Sequence, residues 1–299
     1  MGKIVTWSTP KYSESQTAHQ TDSLFYAEDV LRYLKFTTPF SIKFCLRDAL
    51  RYVVSDQKVV VPPGGFFLTN SGTEMECLPN KPGIQALIVF FTDELIHDVY
   101  RNGIHSDRSL LNEPSPKAQP PGFFEHVFRP PNPLSGKLTA LARQISGSGT
   151  SMHGLLPDTF YDLAEVLLAQ QQRISGQMDR VNARSGATRE ELFRRVLRAR
   201  EYMLDNWNGE LTLAQIARQA CISPYHFHRT FREAFGQSPM KWLRQYKLER
   251  AEELLQGGRI TVTEAALRCG FSDVFTFSKA FKRARGYSPS GLIAERHFQ

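Results

Sequence analysis

The 299-residue chain has no apolar run long enough to cross a membrane as a helix, because charged residues interrupt every such stretch. Its first residues, Met1-Gly2-Lys3-Ile4-Val5-Thr6-Trp7-Ser8, lack the apolar segment and small-residue cleavage site of a secretory signal. Cysteine is scarce. Cys45, Cys77, Cys221 and Cys269 show neither metal-ligand nor redox spacing, so they read as buried or idle thiols in a reducing cytoplasm. The signatures of common enzymes are missing too: there is no nucleophile elbow, phosphate-binding loop or zinc-protease helix. No cofactor or metal is expected.

Charge is present but unevenly placed. The formal net charge is +7, from 37 Lys and Arg against 30 Asp and Glu. From Arg189 to Gln299 there are 19 basic and 12 acidic residues, which leaves 18 of each before Arg189. The whole positive excess therefore sits in the C-terminal part. A solvated helical surface explains such a bias, and so does a surface that approaches polyanionic phosphate.

Residues from about Phe36 to Phe91 read as strands. The stretch from Phe40 to Arg47 alternates apolar and mostly polar positions, the period of a half-buried strand. Strands at 58–61, 66–69, 74–78 and 84–91 follow, punctuated by Pro62-Pro63-Gly64-Gly65, Asn70-Ser71-Gly72 and Pro79-Asn80-Lys81-Pro82-Gly83. Short strands with such breaks imply an antiparallel sandwich or small barrel. A further strand is expected at 123–128. Helical periodicity then takes over at 134–145, stopped by Ser146-Gly147-Ser148-Gly149. It returns at 157–172, with Phe160, Leu163, Ala164, Leu167 and Leu168 on one face. Residues 173–187 are polar and aperiodic, a linker between a first domain (1–172) and a second (188–299).

The second domain says one thing twice. Ile222-Ser223-Pro224-Tyr225-His226-Phe227-His228-Arg229-Thr230-Phe231-Arg232 precedes Gly236-Gln237-Ser238-Pro239. Phe271-Ser272-Asp273-Val274-Phe275-Thr276-Phe277-Ser278-Lys279-Ala280-Phe281-Lys282 precedes Gly286-Tyr287-Ser288-Pro289. Phe227 and Phe277, Phe231 and Phe281, Gly236 and Gly286, and Pro239 and Pro289 all differ by 50 positions. That period marks a duplicated unit of helix, turn and basic helix, and two such units in tandem suit a reader of double-stranded DNA. The local signals agree. Thr188-x-x-Glu191 and Thr261-x-x-Glu264 read as capping boxes, and Thr212, Ser223-Pro224, Ser238-Pro239 and Ser272-Asp273 as further helix starts. Gly236, Gly257-Gly258 and Gly286 read as stops. The expectation is about seven helices, with a long one over 239–256 joining the two units.

These residues resemble the AraC-type DNA-binding domain. Ala217, Ile222-Ser223, Phe227-x-Arg229-x-Phe231-Arg232, Gly236-x-Ser238-Pro239-x-x-Trp242-Leu243, Arg250-Ala251 and Leu254-Leu255 are similar to its first half. Glu264-Ala265-Ala266, Cys269-Gly270-Phe271-Ser272-Asp273, Phe277-Ser278-Lys279-x-Phe281-Lys282 and Gly286-x-Ser288-Pro289 are similar to its second. The resemblance spans 192–292. Lys279 stands where Arg is more usual, and Ala265 where a larger aliphatic is common. The strand-rich first domain is similar in element order to the cupin-like regulatory domain of that family, so the expected class is α+β, a cupin-like antiparallel barrel with flanking helices and an all-α second domain.

The resemblance implies that each second helix enters the major groove, the two lying about 34 Å apart on one face of the DNA. Tyr225, His228 and Arg229 would meet bases in the first unit, and Val274, Phe275, Ser278 and Lys279 in the second. Arg229 and Lys279 either reach a guanine edge or contact phosphate only, and Phe275 is either base-facing or core. Arg232, Arg244, Lys282 and Arg283 are expected on the backbone or in water. Phe227, Phe231, Phe277 and Phe281 are expected in the cores. His226 and His228 flank Phe227 and point apart, so they do not make a metal pair.

The resemblance further implies a small-molecule effector for the first domain, a homodimer, and, for the chain as a whole, an activator that contacts RNA polymerase. The start of the chain (Trp7, Tyr12, Phe25, Tyr26) is either a regulatory arm or a frayed end. Leu163 and Leu167 form either a dimer seam or a face packed on the barrel. Two alternatives stand beside this: a cupin-type metalloenzyme, and a regulator controlled by protein partners alone. Metal cupins need histidines one residue apart with a nearby Glu, whereas His97, His105, His126 and His153 are scattered and His126 has only Glu125 beside it.

Overall fold

The computed structural model describes residues 4–8, 22–28, 34–79, 83–104, 122–147, 156–258 and 260–296. Tyr12, His105, His153 and Ser148-Gly149 lie outside them. The chain divides into two compact units, Met1–Ile174 and Ser175–Gln299.

The first unit holds two antiparallel sheets. One has six strands: β1 (Ile4–Ser8), β2 (Ser23–Glu28), β4 (Ser41–Arg47), β7 (Phe66–Thr69), β9 (Gln85–Phe90) and β10 (Val127–Phe128), in the order β1-β2-β9-β4-β7-β10. The other runs β3-β8-β5-β6, with β3 at Leu34–Thr38, β5 at Leu50–Val54, β6 at Gln57–Val61 and β8 at Thr73–Cys77. Cys45, Phe67 and Ala86 of the larger sheet share a core with Leu50, Tyr52, Val54, Val61 and Met75 of the smaller. Among the described residues the sheets are not closed into one cylinder; each keeps its own edges. The β5–β6 hairpin turns at Ser55 and Asp56, both at positive φ (48° and 62°), the backbone a two-residue hairpin loop demands.

Several expectations change here. Trp7 is not in a free arm: it lies in β1, paired along β2, which itself holds Phe25 and Tyr26. The strand expected at 123–128 is reduced to two residues, because side chains take its backbone bonds. Asn70 exchanges bonds of 2.8 Å with both Phe123 N–H and C=O, and Gln171 accepts from Phe124 N–H at 3.1 Å. Helix α1 (Asp93–Ile104), preceded by Thr92, was not expected. Helix α2 is Pro133–Gly147 and α3 is Leu156–Asp179, so the polar residues 173–179 are helical and not linker. Ile174 is what the polar pattern hides, since it is buried and continues the apolar face of α3. Phe160, Leu163 and Leu167 are fully or nearly buried within the unit, and Phe160 meets Phe91 edge-on at 6.1 Å.

Strand β4 is central, with β7 and β9 on either side, and residues 41–45 are all buried, so the alternation read as half-buried belongs to a strand covered on both faces. Its polar positions sit in a buried polar nest. Lys43 Nζ donates to the hydroxyls of Ser41 (2.7 Å), Thr69 (2.8 Å) and Thr38 (3.2 Å), and those hydroxyls bond one another. Burial pushes the Lys43 ammonium down to about 7, against the opposing pull of Glu125 and Cys77. An unfolded lysine titrates at about 10.4. Between those values the unfolded chain keeps a proton that the folded chain releases, so stability rises with pH across the window. Below 7 both states are protonated and the cost is complete. Lys43→Met is therefore expected to exceed the wild type in stability at pH 6, by on the order of a few kcal/mol, with the gap narrowing toward pH 10. Urea denaturation of both proteins across that range is the check; a gap that does not change with pH would contradict the account.

Candidate nucleic-acid interface

The second unit is helical. Helix α4 (Gly186–Asp205) begins two residues before Thr188, where a capping box was expected. Ser185 is the cap, accepting from Thr188 N–H, while Glu191 binds Arg195 at 2.7 Å. A hydroxyl one turn earlier does the capping, and the glutamate is left for an i, i+4 ion pair.

The first helix-turn-helix consists of α5 (Leu213–Gln219) and α6 (Pro224–Phe235). Thr212 and Gln215 form a reciprocal capping box on α5. Ser223 caps α6 by accepting from His226 N–H at 3.2 Å, Pro224 occupies the first turn, and Gly236 closes the helix at φ 74°. Phe227, Thr230, Phe231 and Ala234 are buried, the i, i+3, i+4, i+7 face of a helix. What remains outside is Tyr225, 80 % exposed, with Arg229 and Arg232 exposed and His226 and His228 half-buried.

The second unit repeats the construction with α8 (Val262–Arg268) and α9 (Val274–Arg285). Thr261 and Glu264 form the capping box; bonds from Thr261 hold the Glu264 carboxyl below its ordinary value. Asp273 caps α9, accepting from both the N–H and the hydroxyl of Thr276 at 2.7 Å, and these bonds lower its pKa. Phe277 and Phe281 are fully buried. Phe275 is 76 % exposed, so it is not core; Val274, Lys279, Lys282 and Arg283 are exposed and Ser278 is half-buried.

Helix α7 (Pro239–Gln256) joins the units and carries the exposed Arg244; α10 (Pro289–Arg296) packs Leu292 and Ile293 on the second core. The pattern of expected contact residues is thus brought onto two exposed helix faces, with the four phenylalanines beneath them. Sequence reading missed two electrostatic ties. Arg229 pairs with Glu233 at 3.5 Å, an i, i+4 spacing visible in the sequence. Arg285 pairs with Glu252 of α7 at 2.8 Å, and Tyr287 donates to the same carboxylate, a contact no local pattern reveals. Fifty residues on from Arg229 and Glu233 stand Lys279 and Arg283, so the second copy has no carboxylate at that i, i+4 position. Among the described residues no group of three or more His, Cys, Asp or Glu forms a metal site, and no helix is long and apolar enough to cross a membrane.

Because each cap hydroxyl or carboxylate satisfies an otherwise free amide, Ser223→Ala and Asp273→Ala are each expected to cost about 1 kcal/mol, read as a lowered urea midpoint. Unchanged midpoints would show that the caps do not hold the first turns.

Residues 216–294 match the family model described as a helix-turn-helix domain. The HTH-type transcriptional activator RhaS of Escherichia coli O139:H28 (strain E24377A / ETEC) is 32 % identical over 91 residues, covering 30 % of this chain and 33 % of that protein. The arabinose operon regulatory protein of Escherichia coli (strain K12) is 31 % identical over 101 residues, 33 % of this chain and 35 % of that protein. The C-terminal domain of AraT, a response regulator from Geobacillus stearothermophilus, is 32 % identical with a TM-score of 0.33, covering 34 % of this chain and 84 % of that one. The chain spans about a third of the length of the curated relatives it matches. The matched residues 216–294 run from α5 to α10 and form a helix-turn-helix domain similar to that of AraC-type regulators.

Proposed function

We propose that the chain is a sequence-specific transcription regulator that reads double-stranded DNA with α6 and α9. The observation that carries this reading is the pair of matched exposed faces: Tyr225, Arg229 and Arg232 on α6, and Phe275, Lys279 and Lys282 on α9, each over a fully buried Phe pair. Large exposed aromatics at the first turn of two basic helices are costly for solubility alone and suit contact with thymine methyls or sugars. Arg229, with Tyr225 and His228, reads bases in the first half-element; Val274, Phe275, Ser278 and Lys279 read the second. Arg232, Arg244, Lys282 and Arg283 bind phosphate.

Activation, which we assign to contact with RNA polymerase, is suggested by the transcriptional activator that the domain is similar to. The first unit we read as a cupin-like regulatory module that takes a small effector, a role supported by its two-sheet core, and as the seat of a homodimer. The chain acts as a cytoplasmic non-enzyme, needing no cofactor, with a regulatory domain before the DNA-reading one. The competing metalloenzyme draws no support from His126, whose ring packs on Phe124 and Phe128 at 6.0 and 5.6 Å.

Arg229 must leave Glu233, or share its guanidinium, to reach a guanine. On DNA recovered by selection with the wild-type chain, Arg229→Ala is expected to cost roughly 1–3 kcal/mol and relax preference in one half-element. Equal loss on scrambled DNA would reduce Arg229 to a phosphate contact. Lys282→Ala is expected to weaken all sequences alike and flatten the salt dependence of log K by about 1. Sequence-dependent loss with an unchanged salt slope would remove Lys282 from the phosphate contacts. Fluorescence anisotropy at several salt concentrations reads both.

A further inference from the structure

The two helix-turn-helix cores are built separately, one around Phe227 and Phe231 and the other around Phe277 and Phe281. Among the described residues Trp207, just after α4, packs against both, and its ring meets Tyr246 of α7 edge-on at 5.9 Å. Beside that contact lies Lys247, buried on α7. Its Nζ donates to the carbonyl of Gly209 and to the carbonyl of Gly270, each at 3.1 Å. Gly209 belongs to the loop that leads into the first helix-turn-helix. Gly270 is the turn of the second. One ammonium on the connecting helix thus holds a backbone carbonyl from either side.

The backbones touch at the same place. Gly270 has φ +66°, and a Cβ there would stand 2.2 Å from Asn208 O and 2.8 Å from Lys247 Nζ. Only glycine fits this approach. Two carbonyls converging on one point repel unless a donor sits between them, and an ammonium can serve both. Stability alone does not explain the choice. Burial holds the Lys247 pKa below its ordinary value, which means that the charge is disfavoured where it sits. A methionine of similar length would fill the same space without that penalty.

We infer that Lys247 is a positioning residue: by clamping the Gly209 and Gly270 carbonyls it fixes the orientation of α9 relative to α6 and so sets the spacing of half-elements that the domain accepts. This rests on the proposed reading of DNA by both helices. One extra base pair between half-elements moves the second by roughly 3.4 Å along the duplex and about 35° around it. A joint held at one angle rejects that displacement, and a loosened joint tolerates it.

The test uses the full chain and DNA selected by the wild type, with the spacer between half-elements kept, lengthened or shortened by one base pair. For Lys247→Met the affinity penalty for the altered spacers is expected to shrink about tenfold, the equivalent of roughly 1.4 kcal/mol. Binding to a single half-element should be unchanged, and Lys247→Arg should restore part of the penalty. A folded Lys247→Met with the wild-type penalty, or with equal loss on every DNA, would overturn the inference and leave Lys247 a packing residue. If circular dichroism shows that Lys247→Met does not fold, Lys247→Gln, whose amide reaches one carbonyl, is judged by the same criteria. A wild type that selects no paired elements would instead sink the two-helix reading itself, an outcome visible before any variant is made.

Discussion

Everything the second unit presents outward is decided by what it buries. A helix has a limited circumference, and α6 spends one side of it on Phe227, Thr230, Phe231 and Ala234. Burying each large side chain contributes on the order of 1.5–3 kcal/mol, far more than any exposed ion pair on the same helix. The remaining side is left to Tyr225, Arg229 and Arg232. Helix α9 obeys the same constraint with Phe277 and Phe281, and its free side carries Phe275, Lys279 and Lys282. The duplication therefore preserves the core and the direction of the exposed face, while the residues on that face have diverged: Tyr to Phe, His to Ser, Arg to Lys, Glu233 to Arg283. On the proposed reading, two faces of the same shape and different chemistry would recognise two half-elements of different sequence, arranged head to tail.

Much of this was legible in the chain because helix ends are local chemistry. Ser223-Pro224, Gly236, Thr261-x-x-Glu264 and Gly286 all act where the sequence places them, since a cap needs only a hydroxyl or carboxylate within three residues and a stop only a glycine free to take positive φ. The start of α4 was misread for the same reason. Ser185 and Thr188 both offer a hydroxyl, and local pattern does not choose between them. Non-local features were not legible. Lys43 in an alternating strand looks solvent-facing until β7 and β9 flank it and Thr69 arrives from 26 residues away. Lys247 looks like one more surface lysine on a basic helix until the turn at Gly270 closes over it. Both are long amphipathic side chains whose fate is set by tertiary neighbours.

The two units handle buried charge in contrasting ways. Lys43 is surrounded by hydroxyls that also bond one another, a nest that can survive loss of the proton. Lys247 instead holds backbone carbonyls from two separate loops, so its charge is tied to geometry. On the proposed reading, the exposed faces act on DNA only if the joint beneath them keeps α6 and α9 in register, which would link a buried contact to the outermost aromatics.

The most direct test of the account is selection from random double-stranded DNA by the full-length protein at near-physiological salt. The account predicts enrichment of two short, dissimilar elements whose centres lie about one helical turn, roughly 10–10.5 base pairs, apart. Recovery of no preferred sequence, with only salt-sensitive general binding, would contradict it.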